Sequence, residues 1–176
     1  LLSTAQGAMT PILIDDAPRY ERRALMLDPA RHFLPVADVK HFIDQMAKFK
    51  YNVLQLHLTD DQGWRVAIHS QPRLASPQHY TQDDLRDIIR YAAERHIEVV
   101  PEVDISGHTV AILAAYPELS CSHLKEDTVV VGHTTNRMVC AANEQSYKIL
   151  TDVITELAVL FPSPYIRLGG DEAAVP

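Results

Sequence analysis

The sequence predicts an α/β fold, a (β/α)₈ barrel of which this chain supplies about the first four βα units. Three observations lead there. Short apolar runs alternate with longer segments of helical periodicity, the pattern of right-handed βαβ units around a parallel sheet. An acid or a histidine follows the C-terminal end of every apolar run: Asp28 and His32, then His57, Asp60 and Asp61, then Asp104 and His108, then Asp171 and Glu172. The turn after the first run, Asp28-Pro29-Ala30-Arg31, lacks the glycines a dinucleotide fold needs there. An open doubly wound sheet also fits the alternation. Polar groups converging from four strand ends on one face favour the barrel. A full barrel runs about 250 residues, so 176 residues supply roughly half of one.

Arg23 to Asp28 is the first strand. Pro35 opens a helix carrying Val36, Val39, Ile43 and Met46 at helical spacing. Asn52 to Leu58 is the second strand, with Leu54, Leu56 and Leu58 on one face and Val53, Gln55 and His57 on the other. Thr81-Gln82-Asp83-Asp84 starts a helix in the manner of a capping box. Its apolar face holds Leu85, Ile88, Ile89 and Ala92, and Arg86, Asp87, Arg90, Glu94 and Arg95 form a solvated side. Ile97 to Val103 is the third strand. A long loop leads to Asn143, which caps a helix bearing Leu150, Val153, Ile154, Leu157 and Phe161 and stopped by Pro162. Tyr165 to Leu168 is the fourth strand. Residues 1–17 stand outside this pattern and read as the tail of a preceding domain and an extended lead-in, with the barrel over 18–176.

The composition narrows the function classes. A net charge of −7 argues against nucleic acid or an anionic membrane as the main partner. No apolar run approaches the roughly 20 residues needed to cross a bilayer, and Leu1-Leu2-Ser3 lacks the basic start of a signal peptide. Cys121 and Cys140 are the only cysteines; a local disulfide and two small buried thiols both fit. The compartment stays open, with a periplasmic or secreted parent slightly favoured.

The chemistry concentrates at Gly169-Gly170-Asp171-Glu172, where a strand breaks into two glycines and two adjacent acids. Paired carboxylates at a barrel strand end suit acid/base work on a glycosidic or acyl bond. Neighbours on one strand straddle a sugar ring poorly, which suits a division of labour between them. Glu102 and Asp104 share one strand face and read as buried network members. His32, His57 and His108 beside acids raise a metal site, but no His-x-His or His-x-x-x-His spacing occurs among these motifs. Neither metal nor cofactor is expected.

The segments Arg23 to Asp28, Ala30-Arg31-His32, His57 to Arg65, Glu102-Val103-Asp104 with Gly107-His108, and Gly169 to Glu172 occur in that order. Together they resemble the catalytic domain of glycoside hydrolase family 20, the β-N-acetylhexosaminidases, from about Ile14 to the end. The resemblance implies exo-acting release of terminal N-acetylglucosamine or N-acetylgalactosamine by substrate-assisted retention, an exception to the two-carboxylate scheme. In that scheme the sugar's acetamide oxygen is the nucleophile. The resemblance makes Glu172 the general acid/base and Asp171 the group that orients the acetamide. His108, with Asp60 or Asp61, resembles a relay beside the acid, and Arg23 matches an arginine that grips sugar hydroxyls. The family's aromatic pocket walls come mostly from the second half of the barrel, so Trp64 is read as packing.

This sequence departs from the family pattern in three places. Arg167 stands where a histidine is common, Ser106 where a proline is usual, and Ala24 replaces a frequent glycine. The expected partner is an oligosaccharide or glycoconjugate containing an N-acetylhexosamine, with self-association through open barrel edges and little turnover by this chain alone. Two rival readings are a non-catalytic amino-sugar-binding fragment and a metal-dependent barrel hydrolase.

Overall fold

The computed structural model describes residues 13–105, 107–121 and 138–173. Most of the expected lead-in, residues 1–12, and the departure at Ser106 lie outside that set. Within it the element order is β1 (Ala24–Leu27), α1 (Val36–Lys48), β2 (Val53–Asp60), β3 (Gly63–Trp64), α2 (Gln82–Ala93), β4 (Glu98–Val103), α3 (Val110–Ala115) and α4 (Glu144–Leu160), with short 3₁₀ turns at Pro72–Leu74 and Pro117–Leu119.

β1, β2 and β4 pair in parallel in that spatial order, with Ala24 opposite Val53 and Val53 opposite Glu98. The expected fourth strand is shorter than its sequence suggests. Arg167 forms a parallel bridge to Glu102, Arg167 N–H donates to the Pro101 carbonyl at 2.9 Å, and Val103 and Ile105 N–H donate to the Arg167 and Leu168 carbonyls at 3.0 Å. Four successive segments thus lie side by side with helices between them, the connectivity of successive barrel units.

Alternation decides what each strand residue does. Leu54, Leu56 and Leu58 point to the helices and are fully buried, packed with Val39, Ile43 and Met46 of α1 and Leu85, Ile88 and Ala92 of α2. Ile149, Val153 and Leu157 of α4 close the same core. Apolar burial of this kind contributes roughly 1.5–3 kcal/mol per large side chain. The opposite face of the sheet carries Met26, Gln55, His57, Glu102 and Arg167, and Met26, Tyr165 and Leu168 are solvent-exposed on it or beside it.

Helix starts follow the sequence closely. Thr81 Oγ1 accepts from Asp84 N–H at 3.1 Å and the Asp84 carboxylate accepts from Thr81 N–H at 2.9 Å, completing the capping box. Asn143 Oδ1 accepts from Gln145 N–H at 3.0 Å to start α4. Two elements go beyond the sequence reading. β3 returns antiparallel onto β2, Thr59 opposite Trp64, and α3 interrupts the long loop after β4. Trp64 is buried and donates Nε1–H to the Val66 carbonyl at 2.9 Å, in keeping with a packing role. Cys121 and Cys140 form a disulfide.

Candidate active site

The C-terminal ends of the parallel segments carry the polar groups, and a local irregularity gathers them. The pairing of β2 with β4 slips between His57 and Thr59. Such a bulge re-aims side chains at a sheet end, and it puts His57, Thr59, Asp60 and Asp61 into one buried cluster. Thr59 Oγ1 accepts from Asp104 N–H at 2.9 Å, tying the ends of β2 and β4 together.

Asp60 is the hub. Its Oδ2 lies 2.9 Å from His57 Nε2 and 2.8 Å from Arg31 Nη2. Its Oδ1 accepts from Asp61 N–H at 2.6 Å and faces His108 Nδ1 at 3.4 Å. Burial alone would raise the Asp60 carboxyl, but the His57 contact, the Asp61 amide, Arg31 and His108 outweigh it and hold it below the usual carboxylate range. Asp61 has fewer partners, accepting from Val110 N–H at 3.1 Å. Burial dominates there and raises its carboxyl. His108 Nδ1 is 3.9 Å from Asp61, so Asp60 is the nearer of the two acids.

His57 sits between two carboxylates, with Nδ1 3.3 Å from Glu102 Oε2. Burial opposes its charge, yet the hydrogen bond to Asp60 and the adjacent Glu102 carboxylate prevail, and the imidazole is pushed up to about 9, while Nδ1 itself is left without a hydrogen-bond partner. Burial likewise pushes Glu102 upward and is overcome by His57 and by Gln55, whose amide donates to Glu102, so Glu102 is lowered. Asp104 is raised by burial, which the Gly170 N–H at 3.1 Å offsets only in part.

The two acids at the chain's last turn lie just above this cluster. His108 adopts a left-handed conformation at φ 52°, and its side chain is only 9% exposed. Its Nε2 lies 3.4 Å from Glu172 Oε2 and 3.7 Å from Asp171 Oδ2. The turn fits because Gly107 has no side chain: a Cβ there would stand 2.5 Å from the Asp171 carbonyl oxygen. Asp171 and Glu172 side chains are 69% and 75% exposed, and Asp171 lines a cavity of about 340 Å³ together with Met26, Arg31, His57, Asp104 and Arg167 among others.

Five of the six residues singled out from sequence therefore stand together: Asp60, Asp61, His108, Asp171 and Glu172. Arg23 stands apart. It precedes β1 at the opposite strand end, and its guanidinium donates to the carbonyls of Lys50 at 2.6 Å, Tyr20 at 2.6 Å and Glu21 at 3.0 Å. Arg31 and His57 were read as parts of motifs without a role of their own. The signal for them was present: His57 and Asp60 are three apart at a strand end, and Arg31 follows Asp28, which accepts both its N–H and its guanidinium.

Three groups among the described residues bring potential metal ligands within 4.8 Å of one another: His57, Asp60 and Asp104; Asp60, Asp61 and His108; Asp104, His108 and Asp171. In each, an imidazole faces a carboxylate, so the groups already supply one another with partners.

The chain that builds this site has counterparts in sequence and in fold. The model of glycosyl hydrolase family 20, catalytic domain, matches residues 20–176. The chain belongs to glycosyl hydrolase family 20. A β-hexosaminidase of Akkermansia muciniphila is 42% identical over 92% of this chain and 36% of its own length. A β-hexosaminidase 3 of Arabidopsis thaliana is 33% identical over 93% of this chain and 30% of its own length. Among solved structures, the family 20 β-N-acetylhexosaminidase of Streptomyces coelicolor A3(2) superposes with a TM-score of 0.85 at 47% identity, over 91% of this chain and 35% of that one. A Streptomyces plicatus β-hexosaminidase variant in complex with the product GlcNAc gives 0.84 at 46% identity, over 90% of this chain and 34% of that one. The barrel expectation is borne out by these family 20 folds. The chain spans about a third of the length of the relatives it matches.

Proposed function

We propose that this chain carries the acid/base machinery of an exo-acting β-N-acetylhexosaminidase working by substrate-assisted retention. The observation that carries the reading is His108, whose ring nitrogens face Asp60 at 3.4 Å and Glu172 at 3.4 Å. Glu172 gives its proton to the leaving glycosidic oxygen as the C1–O bond breaks. The acetamide oxygen of the bound sugar closes on C1, and Asp171 accepts the acetamide N–H, offsetting the positive charge on the resulting ring. Glu172, now a carboxylate, takes a proton from the water that reopens the ring at C1. Positioned proton transfer and charge stabilisation of this kind each supply about 10²–10⁴ in rate.

The family resemblance assigns Arg23 to the hydroxyls on the sugar's non-reducing side. Its guanidinium, however, is bonded to the Lys50, Tyr20 and Glu21 carbonyls at the opposite end of β1, so the hydroxyls fall instead to Arg31, which lines the cavity beside Asp60. A glycan or glycoconjugate ending in an N-acetylhexosamine is the substrate class, since related structures hold GlcNAc and Thio-NAglucal. The Cys121–Cys140 disulfide supports an oxidising compartment for the parent protein. Exposure of Met26, Tyr165 and Leu168 supports association of this chain with a second copy, which sedimentation across a concentration series would detect.

The deciding experiment is hydrolysis of p-nitrophenyl N-acetyl-β-glucosaminide by the enzyme that carries this chain, alongside binding of an N-acetylglucosamine thiazoline to the chain itself. Turnover lost in Asp171→Asn, with thiazoline binding weakened by Arg31→Ala and little changed by Arg23→Ala, is the expected result. Activity that survives Asp171→Asn and dies with a chelator overturns the reading.

A further inference from the structure

The pair His108 and Glu172 is the visible end of a longer row. Arg167 Nε lies 3.2 Å from Glu102 Oε1. Glu102 Oε2 lies 3.3 Å from His57 Nδ1, and His57 Nε2 lies 2.9 Å from Asp60 Oδ2. Asp60 Oδ1 then faces His108, and His108 faces Glu172. The sheet itself builds the first half of the row. His57 is the register partner of Glu102, and Glu102 is the bridge partner of Arg167, so three adjacent strands each contribute one member. Directly opposed positions on one sheet face bring side chains into contact.

We propose that Glu102 and His57 are positioning residues for the general acid, acting through Asp60 and His108 to keep Glu172 protonated when substrate arrives. This rests on the glycosidase reading above. Carboxylates 2.9 and 3.3 Å from the two His57 nitrogens favour its imidazolium form, although Nδ1 makes no hydrogen bond to Glu102. His57 is therefore a resident cation, and with Arg31 it offsets the charge of Asp60 from one side. Asp60 then accepts the Nδ1–H of His108 without drawing a second proton onto the ring. The Nε2 lone pair is left facing Glu172, where it accepts a hydrogen bond from the protonated carboxyl.

Taking the charge off His57 reverses the balance. Asp60 becomes a stronger anion, His108 takes up a second proton, and an imidazolium beside Glu172 favours its carboxylate, which cannot donate. The other groups facing these rings are Asp28 beyond β1 and Asp104 beyond β4 for His57, and Asp61, Asp104 and Asp171 for His108. All are acids. None replaces the missing cation.

The test uses Glu102→Gln and His57→Gln, with Glu102→Asp as the conservative rescue. In nitrogen-15 histidine spectra of this chain, Glu102→Gln is expected to lose the charged His57 signature at lower pH, while the charged His108 signature persists about one pH unit higher. In the enzyme, the alkaline limb of kcat/KM for p-nitrophenyl N-acetyl-β-glucosaminide moves down by about one pH unit, so that kcat above the limb falls about tenfold with KM little changed. Glu102→Asp returns both readouts toward wild type. Should the buried variants fail to fold, Arg167→Leu changes a side chain that is 61% exposed and shifts His57 the other way, its charge persisting to higher pH because Glu102 loses its outer cation. His57 responding while His108 and the kinetic limb stay fixed overturns the proposal, as does an Arg167→Leu spectrum identical to wild type. If no variant or wild-type enzyme turns over substrate, the glycosidase reading fails and the spectra alone decide the coupling.

Discussion

Gly169 lies against the Asp104 carboxylate so closely that no side chain fits between them. A Cβ built on Gly169 falls inside the van der Waals radius of Asp104 Oδ1, and the residue's φ of 63° is itself unfavourable for any side chain. The glycine lets the strand end turn over Asp104, and the Gly170 N–H then donates to that acid at 3.1 Å. Gly169→Ala is expected to destabilise the fold by about 1–3 kcal/mol and to displace Asp171 and Glu172. Urea unfolding checks the first effect. Combining the change with Asp104→Ala should cost less than the sum of the two single changes, because the clash and its target disappear together.

Leaving-group dependence tests the assignment of Glu172. An acid is needed in proportion to the basicity of the departing oxygen. Glu172→Gln is expected to lose about 10²–10⁴ in kcat/KM toward a chitobiose-type glycoside, and far less toward a dinitrophenyl glycoside, whose phenolate departs unaided. Equal losses on both substrates would place Glu172 in binding rather than proton transfer.

The core and the acid pair were legible from local patterns and the His108 relay from the family resemblance, but the row of Arg167, Glu102 and His57 behind that relay was not. Periodicity located α1, α2 and α4 because each buries one continuous stripe, and the Thr81 and Asn143 caps are local chemistry. The adjacent acids Asp171 and Glu172 follow two glycines, which is a local signal as well. The row from Arg167 to Asp60 joins residues 65 apart in sequence at Arg167 and Glu102. Only strand register brings them together, and single-sequence patterns carry no register between parallel strands. β3 escaped notice because two residues are too few to show alternation. The fourth strand was overread because Tyr165 to Leu168 is apolar enough for a strand, yet only the Arg167 region bonds to β4.

Stability should depend on pH through His57, with a definite sign. Its folded value of about 9 lies above the ordinary value of 6.5. Its contribution is therefore full below about 6.5 and is lost as pH rises through 9. Asp60 and Glu102 are lowered, so their contributions are present above the usual carboxylate range and vanish as acid protonates them. Asp61 and Asp104 are raised by burial and work against folding at neutral pH, flattening the acid side. The net expectation is a plateau between about pH 5 and 6.5, followed by a loss on the order of 2 kcal/mol by pH 10 after allowance for solvent screening. Guanidinium unfolding across that range measures it, and His57→Gln should remove most of the alkaline slope.

Arg65 is the buried cation on which the lip of the cavity rests. It is 7% exposed, and its guanidinium donates to the carbonyls of Pro29 at 3.0 Å, Ala30 at 2.9 Å and Gln78 at 2.9 Å. Burial lowers its basicity, yet a guanidinium holds its proton under such conditions where an ammonium gives way. The Pro29 and Ala30 carbonyls belong to the turn that delivers Arg31 to Asp60, so Arg65 orders the cluster without touching it. Lysine offers one donor centre in place of a planar fork. Arg65→Lys is expected to lose about 2–4 kcal/mol by leaving buried carbonyls unpaired. It should also weaken the Arg31–Asp60 pair, so that substituting Arg31 in that background changes stability less than in the wild type. A double-mutant cycle by thermal unfolding measures that coupling; full additivity would show that the turn holds Arg31 in place without Arg65.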